Sequence, residues 1–134
     1  MEIRDIRSGD IEQVRELLLA NGWKHRVGNA PKFSRLLANS QRSVVASESG
    51  HVVGFVRSLC DGESNGYLSM LVVDPKHRGK GVGRALVTTI VGDNRDITWM
   101  LRADREGSQA FFARLGFTMS TVAMELTRHP RHGA

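Results

Sequence analysis

The sequence contains one cysteine, Cys60, and no apolar run of the length that crosses a membrane. A single cysteine permits no internal disulfide, so a reducing compartment is the simple interpretation. A membrane-spanning helix needs about 20 consecutive apolar residues. Residues 1–4 enter a strand-like pattern directly, and we expect no signal peptide. These absences predict a cytoplasmic protein with no membrane partner.

The chain also has no linker, repeat or low-complexity segment, and its 134 residues are the usual length of one domain. We therefore expect a single domain over residues 1–127, followed by a basic, disordered tail over residues 128–134. The formal charge of +5 is compatible with nucleic acid as a partner. However, the sequence has no helix-turn-helix pattern, zinc-ligand spacing or interleaving of aromatic and basic residues, so we expect neither nucleic acid nor a metal.

Hydrophobic periodicity and turn residues predict alternating strands and helices. Strands are expected at residues 2–6, 43–48, 51–59, 67–73, 97–101 and 117–127, and helices at residues 11–20, 30–38, 82–91 and 107–115. This order is mixed α and β, and one twisted sheet with helices on both faces is its simplest packing. The pairing of the strands does not follow from the pattern.

The most informative segment lies between the apolar strand 67–73 and the helix 82–91. Three alternating glycines, Gly79, Gly81 and Gly83, occupy this connection. Glycine lets the backbone approach a ligand closely, and a helix N-terminus presents unpaired N–H groups that attract anions. Lys80 and Arg84 add positive charge. The segment therefore predicts a site for a phosphate-bearing ligand.

Two common phosphate motifs are absent. A Walker A loop requires Gly-Lys followed by Ser or Thr, and neither sequence occurs in the chain. The dinucleotide fingerprint requires a glycine where Arg84 stands. The remaining pattern is Arg78-x-x-Gly81-x-Gly83.

That pattern resembles the R/Q-x-x-G-x-G/A signature of the GNAT (Gcn5-related) N-acetyltransferases. V-V-D-P before it, G-R-A-L-V after it and the helix of residues 106–117 that ends in Leu-Gly-Phe strengthen the resemblance. The resemblance implies that the loop holds the pyrophosphate of acetyl-coenzyme A. It also implies that strands 67–73 and 97–101 run parallel and splay apart to hold the pantetheine arm.

The function implied by the resemblance is transfer of the acetyl group of acetyl-CoA to a primary amine of a small molecule or a peptide. The amine attacks the thioester directly through a tetrahedral intermediate, and coenzyme A is the product. The alternative is an acetyl-CoA-binding sensor or a degenerate domain with little catalysis. The family often dimerises, and a homodimer is left open.

The resemblance also assigns site residues. The Val73 backbone N–H is expected to stabilise the oxyanion. The residues expected to bind the cofactor are Leu71, Val72, Val73, Arg78, Gly79, Lys80, Gly81, Val82, Gly83, Arg84 and Phe112.

The catalytic acid and base are less clear from the sequence. Phe112 stands where the family usually has a tyrosine that acts as general acid, and a phenyl ring donates no proton. A thiolate with a pKa near ~8.5 can leave without an acid. Residues 64–73 contain no carboxylate, so Glu63, with Asp61 beside it, and Tyr67 are the candidates at the acceptor end.

Overall fold

The computed structural model describes residues 1–129, in two compact units. The first unit is Met1–Leu101, and the second begins at Arg102. Most of the predicted tail, residues 130–134, lies outside the described residues.

The first unit is built on a five-stranded sheet with the strand order β1-β2-β3-β4-β5. The first four strands pair antiparallel, and β4 pairs with β5 in parallel. The strands are β1 Glu2–Asp5, β2 Arg42–Glu48, β3 His51–Cys60, β4 Asn65–Val73 and β5 Thr98–Met100. The first five predicted strands are therefore confirmed, each within two residues at its ends.

Three helices cover one face of the sheet: α1 Ile11–Ala20, α2 Lys24–Val27 and α3 Ala30–Ala38. Their buried side chains, Val14, Leu18, Val27 and Phe33, form one cluster with Val45, Phe55, Met70 and Val72 of the strands. The Phe33 and Phe55 rings meet edge to face, with their centres 6.5 Å apart. The periodicity of the sequence did not predict α2, which is a single turn.

The fourth helix, α4 Val82–Val91, covers the opposite face. Adjacent residues of a strand point to opposite faces. Phe55 packs on the first face, and a Cβ on its neighbour Gly54 would lie 3.0 Å from the side chains of Leu86 and Val82. The prediction of one mixed sheet with helices on both faces is therefore correct.

The second unit contains α5 Ser108–Arg114, as predicted, but no strand follows it within the described residues, which end at 129. The predicted strand 117–127 is wrong, because residues 115–129 form neither helix nor strand. The Ser120 hydroxyl accepts the N–H groups of Val122 and Ala123, which interrupts an extended path. The alternating apolar side chains Met124 and Leu126 are 98% and 101% exposed, so the strand-like pattern buries no apolar face.

Candidate functional site

The glycine-rich connection begins where β4 ends. Asp74 starts a short 3-10 turn, Pro75–His77, and its Oδ1 accepts the Lys76 N–H at 3.0 Å. Gly79 and Gly81 then adopt left-handed φ angles of 76° and 84°, which side chains disfavour. A Cβ on either glycine would meet no atom within 4 Å. The loop thus keeps an open space above its backbone, of the kind a diphosphate requires.

Gly81 is the residue from which α4 starts. The first intrahelical bond runs from the Ala85 N–H to the Gly81 carbonyl, 3.0 Å. The N–H groups of Val82, Gly83 and Arg84 precede that bond and have no acceptor within the helix. The ten-residue helix directs its positive dipole end to the same place. This arrangement has the geometry that suits an anion.

The Arg78 side chain points back to the sheet instead of to the loop. Its Nε donates to the Val73 carbonyl at 3.2 Å, and its Nη2 donates to Asn21 Oδ1 at 3.3 Å. The guanidinium therefore ties the start of the loop to the end of β4 and the end of α1. Of the predicted cations, Lys80 and Arg84 are exposed beside the loop.

The gap between β4 and β5 has its origin in their short pairing. Only Asn65–Tyr67 pair with Thr98–Met100, so the remaining six residues of β4 extend beyond β5. A register shift lies between Phe55 and Arg57 of β3, opposite Met70, which has a left-handed φ of 59°. Such a bulge bends the strand and re-aims its backbone groups. The parallel pair implied by the resemblance is present, and β4 continues beyond its last partner in β5.

The Val73 N–H faces this gap. The next residue, Asp74, donates its N–H to the Val53 carbonyl of β3 at 2.8 Å. Successive N–H groups of a strand point to opposite sides. The Val73 N–H therefore points away from β3, to the side on which β4 extends beyond β5.

The candidate acid–base residues lie in the turn before β4 and near the start of that strand. Asp61 Oδ1 accepts the N–H groups of Glu63, Ser64 and Asn65 at 2.7–3.0 Å, which lowers the pKa of that carboxyl. Asp61 thus shapes the turn before β4 and stays ionised. The Glu63 side chain is exposed in that turn, and Tyr67 is half-buried at the last paired position of β4.

Phe112 lies in the second unit, in α5. It is 8% exposed, and its ring meets Phe111 and Phe117 edge to face at 5.0 and 5.6 Å. Within its unit, the ring fills an aromatic cluster.

A groove of about 670 Å³ lies elsewhere in the first unit, between α1, the β2–β3 turn and the 3-10 turn. His77 Nε2 lies 3.0 Å from Glu48 Oε2 at its wall. The groove shares no residue with the predicted site, so we do not assign the expected acetyl transfer to it.

Sequence reasoning did not single out Arg57. This residue of β3 is half-buried, and its Nε is buried with no hydrogen-bond acceptor in the described residues. Burial lowers its pKa; the nearby Tyr67 hydroxyl opposes that effect, and the Arg26 cation adds to it. A charged residue inside the apolar run 52–59 was the available signal.

The sequence model described as the acetyltransferase (GNAT) domain matches residues 39–119. A mycothiol acetyltransferase from Frankia alni is 38% identical over 109 residues, and the alignment covers 77% of this chain and 31% of that protein. The chain thus spans about a third of the length of this relative.

Solved structures show the same fold. A protein of unknown function from meticillin-resistant Staphylococcus aureus, described as a probable acetyltransferase, superposes with a TM-score of 0.78 at 15% identity, covering 95% of this chain and 98% of that one. An aminoglycoside 6'-N-acetyltransferase complexed with coenzyme A gives a TM-score of 0.58 at 22% identity, over 67% of this chain and 53% of that one.

Within residues 1–129, no helix has both the length and the apolar character that crossing a membrane requires. The same residues hold no cluster of three or more His, Cys, Asp or Glu side chains that suits a metal ion.

Proposed function

The chain belongs to the GNAT acetyltransferase family, and from this membership we propose that it transfers the acetyl group of acetyl-CoA to a primary amine of a small molecule or a peptide. The observation that carries the proposal is the glycine loop at the start of α4, next to the gap where β4 extends beyond β5. In the proposed function, the loop would bind the diphosphate of acetyl-CoA and the gap would hold the arm that carries the thioester.

The residues present fit the cofactor. The space above Gly79 and Gly81, which a Cβ would enter without contact, would accommodate the pyrophosphate. The N–H groups of Val82, Gly83 and Arg84 would bind its oxygens, and the exposed Lys80 would neutralise charge. The complex of the aminoglycoside acetyltransferase with coenzyme A supports this assignment at the level of the fold.

The pantetheine arm would lie along β4 and pair with the backbone of Leu71, Val72 and Val73 in the manner of an added strand. The cofactor supplies an acetyl thioester that a neutral amine attacks. The Val73 N–H, which points into the gap, would donate to the carbonyl oxygen as negative charge develops on it. A preorganised donor of this kind contributes about 3–4 kcal/mol to the stability of the transition state.

Two protons move in the reaction. One leaves the amine, and Tyr67 and Glu63 are the residues proposed to receive it. Because Tyr67 precedes Val73 by six residues, about 20 Å along a strand, the proton would reach either residue only through a chain of water molecules. The other proton reaches the coenzyme A thiolate. Phe112 supplies none, so the thiolate leaves unprotonated and is protonated from solvent.

The Phe112 substitution also supports a second candidate function. A domain that lacks the general acid usual in the family would bind acetyl-CoA but transfer its acetyl group slowly. Such a domain would act as a sensor of acetyl-CoA. Turnover with added amines separates the two functions.

The test is a calorimetric titration with acetyl-CoA, with dephospho-CoA and NAD as controls, followed by thiol release on a panel of amines. Tight acetyl-CoA binding with thiol release is expected. Binding without release on any amine supports the sensor, and the absence of binding contradicts both functions.

A further inference from the structure

The His77 side chain joins the start of the glycine loop to the turn between β2 and β3. Its Nε2 lies 3.0 Å from the Oε2 atom of Glu48, the last residue of β2. An ionised carboxylate only accepts hydrogen bonds, so Nε2 carries the hydrogen and donates it. The bond therefore fixes, from a distant part of the chain, a residue that lies two positions before Gly79.

The other side of the His77 ring faces the 3-10 turn that follows β4. Its Nδ1 is buried, lies 3.9 Å from Asp74 Oδ2 and has no hydrogen-bond partner among the described residues. The His77 backbone N–H donates to the Asp74 carbonyl at 2.8 Å, and the Asp74 N–H donates to the Val53 carbonyl of β3 at 2.8 Å. The ring, 23% exposed, thus lies between two segments that are both attached to the sheet.

Two side chains hold the backbone immediately before the first glycine of the loop. His77 reaches the β2–β3 turn, and Arg78 reaches the ends of β4 and α1. The loop itself has open surroundings, since a Cβ on Gly79 or Gly81 would meet nothing within 4 Å. Glycine has the largest conformational freedom of any residue, so a loop without anchors would lose more entropy when it binds a ligand.

We propose that His77, through its hydrogen bond to Glu48, positions the glycine loop for the diphosphate of the cofactor. Both ring nitrogens face carboxylates of the protein, so His77 is a positioning residue that acts through the backbone leading to Gly79. This inference rests on the proposed function, since it concerns the cofactor of the same site. The contact should affect the affinity for the phosphates and not the transfer of the acetyl group.

The first experiment is a calorimetric titration of wild-type protein, His77→Asn and His77→Gln with acetyl-CoA. A glutamine side chain can place an amide N–H near the position of Nε2 and donate to Glu48, whereas the shorter asparagine does not reach it. His77→Asn should raise the Kd for acetyl-CoA by about 3- to 10-fold, because ordering the loop then costs more. His77→Gln should remain within about twofold of the wild-type Kd, since the hydrogen bond is kept.

A double-mutant cycle tests whether His77 acts through Glu48. Glu48→Ala should weaken acetyl-CoA binding as much as His77→Asn does, and the double variant should be no weaker than either alone, because both changes remove one contact. His51→Asn is the matched control. His51 is an exposed residue that lines the same groove as His77 and lies outside the glycine loop. Its replacement should leave the affinity unchanged.

A truncated donor separates positioning from general damage to the site. S-acetylpantetheine carries the same kind of thioester as acetyl-CoA but has no diphosphate, so it does not use the glycine loop. His77→Asn should raise KM for acetyl-CoA and leave kcat within about twofold. The kcat/KM for S-acetylpantetheine should not change. Equal losses of kcat/KM with both donors would overturn the proposal.

Urea unfolding of each variant confirms that the affinities are measured on folded protein. Acetyl-CoA binding that is weakened by His77→Asn and Glu48→Ala, but not by His77→Gln or His51→Asn, supports the proposal. Equal affinities in wild-type protein and all variants overturn it and leave the proposed function standing. If wild-type protein does not bind acetyl-CoA, both are overturned.

Discussion

The indole ring of Trp99 lies directly on the backbone of Gly66. The two residues are register partners across β4 and β5, and a Cβ on residue 66 would lie 2.5 Å from the ring carbons Cε3 and Cζ3. This contact is in the middle of the three-residue pairing, just before β4 extends alone. Gly66 therefore permits the strands to meet at the closed end of the proposed cofactor gap.

Gly66→Ala is expected to lower the free energy of unfolding by about 1–3 kcal/mol, because the new methyl group displaces the ring or the strand. Urea unfolding measures the change. When Trp99→Leu is also present, Gly66→Ala should lower the free energy of unfolding by less. A double-mutant cycle measures the coupling between the two positions. Gly9→Ala, whose Cβ would meet nothing within 4 Å, is the control. Purely additive effects would contradict the contact.

Gly81→Glu should reduce acetyl-CoA affinity by at least about 100-fold, since a carboxylate beside a diphosphate costs several kcal/mol. Gly50→Glu is a matched control. Gly50 has a similar φ of 80° and equally open surroundings, but it lies in the β2–β3 turn. Both variants should lose similar stability from the left-handed backbone. Calorimetric titration of the two folded variants with acetyl-CoA should therefore separate the effect of backbone strain from the exclusion of the ligand. Equal acetyl-CoA affinities would refute the assignment of the glycine loop to the phosphates.

Phe112→Tyr should leave kcat unchanged or raise it. The proposed reaction proceeds without a general acid, and a tyrosine at this position would supply one. Steady-state thiol release across pH 6 to 10 is the measurement, a range chosen to span the thiol pKa of ~8.5. A loss of more than about tenfold, equivalent to about 1.4 kcal/mol, would show that the hydroxyl disturbs the buried ring cluster. Phe111→Tyr is a comparison on the adjacent ring.

Asp10 should contribute stability that disappears in acid. Its carboxylate accepts Arg4 Nη1 at 2.6 Å, Arg4 Nη2 at 3.1 Å and the Arg7 N–H at 2.8 Å. The Arg4 contact is the main reason that the pKa of Asp10 is lowered from 3.8. A lowered folded pKa means that the contribution is complete above the ordinary pKa and is lost as the pH falls through the folded one.

Asp10→Asn is therefore expected to cost about 1–3 kcal/mol at pH 7 and much less at pH 2. Urea unfolding at the two pH values measures it. Glu12→Gln, which removes an exposed ion pair with Arg15, should cost little at either pH. A pH-independent cost for Asp10→Asn would contradict the shifted pKa.

Met70→Ile should be less stable than Met70→Leu, although both keep the volume of this buried side chain. Met70 has a left-handed φ of 59°, and a β-branched residue fits that backbone poorly. The expected difference is about 1–2 kcal/mol in thermal or urea unfolding. The acetyl-CoA affinity of Met70→Ile should fall as well if the bulge sets the width of the gap. Equal stabilities would contradict the strained backbone.

Local chemistry explains which elements were predictable. The helix of residues 30–38 was placed correctly because Pro31 occupies its first turn and the Asn29 side chain caps it by accepting the Lys32 N–H. The glycine loop was recognised because a strand, three glycines and a helix follow one another without interruption. The strand predicted at 117–127 failed because an alternating pattern becomes a strand only where a partner strand is available.

The surroundings of Arg57 depend on residues distant in the sequence. Ser40 follows α3, Arg26 lies on α2 and Tyr67 on β4, and no spacing rule connects them. A sequence-based search looks for motifs within one segment, so it does not detect an environment that sheet pairing and helix packing assemble. The bulge at Met70 was not predicted from the sequence either, because a methionine is an uncommon residue for a left-handed backbone.

The sequence by itself determined the class of fold, the order of the five strands and of four of the helices, and the glycine loop, because periodicity, glycine and helix starts act over a few neighbouring residues. Only the tertiary structure decided how far β4 pairs with β5, which way the Val73 N–H points and which charges surround Arg57. These properties depend on strand register and on packing between segments that the chain brings together only when it folds.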